Sequence, residues 1–157
     1  MTDQSPNKEI VVIGLGNVLL SDEGIGVHII RRLSQQQDRF SLVDFIEAGT
    51  GGMNLLHLIA NRKKAVIIDC AKMGKRPGTM RRFNADEVQS VKKLSQYSLH
   101  EADILKVINL SKQLDECPDE VVFFGIEPET IKPGQTLSRT LSHKIDDYAA
   151  AISKEFA

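Results

Sequence analysis

The stretch Ile10 to Gly26, IVVIGLGNVLLSDEGIG, joins an apolar, β-branched run to a glycine-rich turn and then to two adjacent carboxylates, Asp22 and Glu23. An unbroken run of this kind ending in glycine predicts a strand over 9–14 that is buried on both faces. Strand-to-helix turns of this form seat phosphates in nucleotide-binding folds, but two observations argue against that use. Gly14-x-Gly16 starts the G-x-G-x-x-G pattern, yet Leu19 stands where the third glycine belongs, and no Gly-Lys-Ser/Thr segment follows. Asp22 and Glu23 would also sit at the positive end of the next helix and repel an incoming anion. The glycines therefore read as the makings of a tight turn, and the two acids as helix caps or as ligands for a cation.

Outward from this turn, strand and helix patterns alternate. Val27, Ile30 and Leu33 give residues 22–34 a helical apolar face, with Arg31 and Arg32 turned to water. Residues 42–47, LVDFIE, form a second strand, expected within the buried sheet and closed by AGTGG, and a short helix follows with Leu55, Leu56, Leu58 and Ile59 buried. AVIIDC, 65–70, predicts a central strand, KMGKRPGT a turn-rich loop, and MRRF a short strand whose arginines suit a sheet edge. A helix over 101–114, a buried strand over 121–126 (VVFFGI) and a terminal helix over 137–155 complete the chain. This order predicts one α/β domain over 1–157. It is a three-layer sandwich with a twisted, mainly parallel sheet flanked by helices on both faces, and 1–8 form a flexible tail.

The bulk properties narrow the function classes. The chain has 157 residues, 41% of them hydrophobic, and a formal net charge of −1, which gives no electrostatic reason to expect nucleic acid or an anionic membrane as partner. MTDQSPNKE lacks a signal-peptide core, no apolar run approaches a membrane span, and Cys70 and Cys117 form neither a metal pair nor a disulfide framework. A reducing cytoplasm is the expected compartment.

Three polar residues are expected at one edge of the sheet. Asp69 ends a parallel strand at the carboxyl edge, where open α/β sheets place their ligands. In YSLHEADIL, Ser98 and Glu101 have capping-box spacing, which puts His100 in the first turn of a helix and biases its ring toward the neutral, metal-ligating form. With Glu23, these residues would make an N/O site for a divalent ion such as nickel, zinc or manganese, leaving positions open for water or substrate. Each also has a plainer reading as a cap or surface residue. His28, His57 and His143 read as ordinary helix residues, and Cys70, with no histidine paired to it in sequence, as packing.

Nearly the whole chain, in order, resembles the hydrogenase maturation endopeptidases: VVIGLGNVLLSDEGIGVHIIRRL, EAGTGGMNLL, VIIDC, KRPGTMRRF, SLHEADIL and GIEPETIKPGQTLS. The resemblance implies an endopeptidase that removes the C-terminal extension of a nickel-iron hydrogenase large-subunit precursor after nickel insertion. It implies that Glu23, Asp69 and His100 bind the nickel, which the substrate supplies and for which other divalent ions substitute in the isolated protein. Aspartyl-type and metal-dependent chemistry both remain open, with no catalytic residue assigned. Where the family often has Asp-Gly-Gly-Thr this chain has Glu47-Ala48-Gly49-Thr50, so Glu47 and Thr50 are expected to line a substrate cleft. Glu127, just past a strand in GIEPETIKPG, is expected beside them. The rival readings are a non-catalytic nickel-binding chaperone and a peptidyl-tRNA hydrolase, which also opens on a GLGN turn; the near-neutral charge and VLLSDEG argue against the latter.

Overall fold

The computed structural model describes residues 7–87 and 99–157, without the side chains of 99–103. Strands β1 (Ile10–Leu15), β2 (Val43–Gly49), β3 (Lys64–Cys70), β4 (Met80–Asn84) and β5 (Glu120–Ile126) form one sheet in the order β2-β1-β3-β5-β4. The first four in that order are parallel; β4 runs antiparallel to β5 and closes one edge. Helices α1 (Ile25–Ser34), α2 (Asn54–Ile59), α3 (Leu99–Gln113), α4 (Arg139–Ser142) and α5 (Ile145–Ser153) cover its faces. Among the described residues no helix is long and apolar enough to cross a membrane.

Alternation along the strands divides the core into two layers. Val12, Val66, Ile68, Val122 and Phe124 face Ile25, Ile29, Ile30 and Leu33 of α1 together with Leu141, Tyr148 and Ile152 of α4 and α5. Val11, Ile13, Ala65, Ile67 and Phe123 face Leu55 and Ile59 of α2 and Ile104, Val107 and Ile108 of α3. The expected α/β sandwich with a mainly parallel sheet and helices on both faces is the observed architecture.

Three details differ from the sequence reading. β2 is an edge strand, and beyond Val43 its residues are partly or fully exposed; its mixed composition, with Asp44 and Glu47 among apolar residues, reflects that position. The stretch 22–34 starts as a single 3₁₀ turn, Ser21–Gly24, before α1 begins at Ile25. The terminal helix is broken between Ser142 and Ile145. The Lys144 N–H bonds the Leu141 carbonyl, tightening the turn to i→i−3, while the apolar spacing Leu141, Ile145, Tyr148 and Ile152 runs across the break and makes the sequence look continuous. Of the expected tail, 1–6 lie outside the described residues. Lys8 is pinned, its N–H donating to Asp44 at 3.1 Å and its carbonyl accepting from Arg62 at 2.6 Å.

Candidate functional site

The chain leaves β1 for β2 on one side and later places β3 on the other side of β1, so the carboxyl ends of β1 and β3 flank the point where the winding reverses. A crevice opens at such a point in an α/β sheet. The glycine turn brings α1 down onto it. A Cβ on Gly26 would lie 2.4 Å from the Ile68 carbonyl oxygen and 2.5 Å from that of Leu15, and one on Gly14 would lie 2.3 Å from the Gly26 carbonyl oxygen. Gly16, at φ 125°, adopts a conformation closed to most side chains. These glycines serve close helix-to-sheet packing, and the Ser21–Gly24 turn lies directly against Gly16, where a Cβ would meet the Glu23 carbonyl oxygen at 1.9 Å.

That turn sets Glu23 beside the end of β3. Its carboxylate accepts the Asn17 N–H at 3.2 Å and remains partly exposed. Asp69 is only 6% exposed and accepts the Cys70 N–H at 2.8 Å. Burial pushes the Asp69 carboxyl up to about 8 and the neighbouring Glu23 charge pushes the same way, against the Cys70 N–H. With no cation bound, Asp69 is mostly a neutral acid at neutral pH. A cation bound by these two carboxyls would displace the proton that Asp69 holds and offset the repulsion between the two resulting carboxylates. Cys70 is no candidate nucleophile: burial, then the charges of Asp69, Glu23, Asp22 and Glu127, hold its thiol well above the usual range, far from the thiolate.

His100 lies near the start of α3, as expected, but its side chain and Ser98 are outside the described residues. Among the described residues no group of three His, Cys, Asp or Glu side chains forms a metal cluster, and Glu23 is near enough to Asp69 for its charge to act on it. Glu47 and Thr50 are exposed at the end of β2, where Glu47 pairs with Arg31 at 3.0 Å. His28, in α1, is held below its ordinary pKa by burial and then by Arg31.

Two buried acids next to the pair have structural work that the sequence does not announce. Asp22, fully buried, accepts N–H bonds from Glu129 and Thr130 at 2.9 Å each and from Ser138 at 2.7 Å. It fastens the loop after β5 to the turn carrying Glu23. Glu127 lies at the same carboxyl edge, since Cys70 pairs with Ile126. One of its oxygens accepts the N–H groups of Met73 and Lys75 at 2.8 Å each, so it holds the loop after β3. Its side chain is buried and committed to that loop. Partners this distant leave no local signature; an acid next to a glycine turn was the one visible sign of Asp22.

Residues 27–155 match the family described as HycI, hydrogenase maturation protease. The chain is 35% identical over 140 residues to the hydrogenase 2 maturation protease of Escherichia coli (strain K12), spanning 87% of this chain and 84% of that protein. It is 31% identical over 139 residues to the hydrogenase expression/formation protein HoxM of Cupriavidus necator, spanning 88% and 69%. In structure it is similar to the hydrogenase maturating endopeptidase HybD from E. coli, with a TM-score of 0.83, 29% identity and coverage of 94% and 91%. An endopeptidase from E. coli solved in solution superposes with a TM-score of 0.80 at 30% identity, covering 93% and 90%. With the match running through most of the sequence and the fold shared, this chain belongs to the hydrogenase maturation protease family of endopeptidases.

Proposed function

We propose that this endopeptidase removes the C-terminal extension of a nickel-iron hydrogenase large-subunit precursor once nickel has been inserted, acting in the cytoplasm. The nickel belongs to the substrate, and Glu23, Asp69 and His100 hold it as the recognition element. The observation that supports this reading is the buried Asp69 carboxyl beside Glu23, at the crevice between β1 and β3. An acid kept neutral by burial and a like charge is poorly placed as a structural ion-pair partner and well suited to give up its proton to a divalent ion. The family is one of endopeptidases, so the chaperone reading is not carried further. Glu47 and Thr50 stand at the open end of β2, within reach of a polypeptide entering the crevice, while Glu127 shapes the crevice through the Met73–Lys75 backbone.

The test is incubation of purified precursor, nickel-loaded and nickel-free, with the protein, followed by mass measurement. The expected result is one shortened product from the loaded precursor and none from the nickel-free form. Equal cutting of both forms would remove nickel from the recognition step, and no cutting of either would overturn the substrate assignment.

A further inference from the structure

Given the endopeptidase activity and the precursor substrate proposed above, we propose that Leu19, Met53 and Ile131 form an apolar rim that grips the precursor's polypeptide beside the scissile bond, independently of its nickel. All three are large, apolar and open to solvent, at 56%, 57% and 41% exposure. Single exposed hydrophobics are ordinary, whereas several gathered around one site mark a binding surface. These three sit on the loops that leave the carboxyl ends of β1, β2 and β5, around the crevice holding Glu23 and Asp69. The other two exposed large hydrophobics among the described residues, Leu42 and Leu114, lie toward the amino end of the sheet, before β2 and after α3.

The rim is built rather than loose. The Leu19 carbonyl accepts the Gly134 N–H at 2.9 Å, and the Ser21 N–H donates to the Gly134 carbonyl at 2.9 Å. The Ser21 hydroxyl donates to the Lys132 carbonyl at 2.9 Å, and Asp22 anchors both ends of that loop at Glu129, Thr130 and Ser138. The Gly16 N–H donates to the Gly49 carbonyl at 2.7 Å, tying the β1 loop to the one that leads to Met53. Leu19 and Ile131 are thus displayed on a framework whose backbone is already ordered, and binding there loses little further loop entropy. The occupant follows from the activity: an endopeptidase must hold a polypeptide on at least one side of the bond it cuts. The paired carboxyls supply no apolar contact for that chain, and the rim does.

The test replaces Leu19, Met53 and Ile131 by serine, singly and together, with Leu42→Ser and Leu114→Ser as distant controls. Two quantities are read: KM and kcat on nickel-loaded precursor, and the Kd for nickel-free precursor. The triple variant should raise KM and weaken the nickel-free complex by about tenfold or more. Its kcat at saturation and its affinity for nickel ions alone should stay near wild type, and the controls should change nothing. An unchanged KM and Kd in the triple variant, or an equal loss in the controls, overturns the rim. Should the wild type leave the precursor uncut, the substrate assignment falls by that result, and the binding arm judges the rim separately. Weaker binding by the triple variant then supports it; equal binding, or none by the wild type, overturns it.

Discussion

Replacing Asp69 by asparagine should make the metal-free protein more stable at neutral pH. The carboxyl sits at about 8 in the fold against an ordinary 3.8 in the unfolded chain, raised by burial first and then by Glu23. Below pH 3.8 both states hold the proton and the group has no effect. Between 3.8 and 8 the folded state keeps a proton that the unfolded state has released, so stability falls as pH rises; above 8 the loss is complete. At about 1.4 kcal/mol per pH unit, the accumulated loss at pH 7 is about 4 kcal/mol. Asparagine has no charge to desolvate and keeps an oxygen for the Cys70 N–H, though its amide fits the site less well, at a cost of about 1 kcal/mol. The expected net gain is about 3 kcal/mol at pH 7, vanishing at about pH 4.5 and turning into a small loss at pH 4. Urea unfolding of both proteins in a chelating buffer at pH 4, 5.5, 7 and 8 measures it. A difference between the two that stays flat with pH, or a variant less stable at pH 7, would refute the burial argument. Under the proposed nickel reading the order reverses with metal present, because only the wild type gains ligand stabilisation.

Other substitutions probe the scaffold around the pair. Asp22→Ala removes a buried carboxylate that accepts three part-buried backbone N–H bonds; it should cost about 3–5 kcal/mol in denaturant unfolding and speed amide exchange at Glu129, Thr130 and Ser138. Gly26→Ala drives a Cβ into two backbone carbonyl oxygens, so it should cost about 3 kcal/mol or more, whereas a loss below 1 kcal/mol would mean that α1 can lift off the sheet freely. Tyr148→Phe removes the buried 2.6 Å bond from its hydroxyl to the Gly78 carbonyl, with an expected loss of about 1–2 kcal/mol in thermal unfolding. In the wild type, burial, then Asp22 and Asp147, push the Tyr148 phenol up to about 12, so absorbance titration should show a tyrosine that stays protonated at pH 11.

The strands were readable because Val11–Ile13, Val66–Ile68 and Val121–Phe124 are apolar runs buried on both sides of a mainly parallel sheet. The same logic placed Asp69 at a carboxyl edge, since a parallel strand delivers its final residues there. β2 misled because an apolar run with two acids in it can lie at an edge as easily as inside. The break at His143–Lys144 was hidden because the apolar spacing passes straight through it. The clamping roles of Asp22 and Glu127 were out of reach for a different reason. Their bonds join residues 52 to 116 positions apart, and backbone N–H groups carry no residue identity by which to find them.

That same separation bears on how the molecule is made. The bond from Ser138 to Asp22 closes a span of 116 residues, so the turn bearing Glu23 cannot be fastened until the chain beyond β5 has been synthesised and has docked. Contacts this far apart in sequence form late, because the chain between them must be ordered first. During synthesis β1, α1 and β3 can assemble while the crevice lacks one wall. The part of the protein that handles substrate is thus the last to mature, and a chain truncated after Ile126 would retain Glu23 and Asp69 without the loop that holds their turn in place.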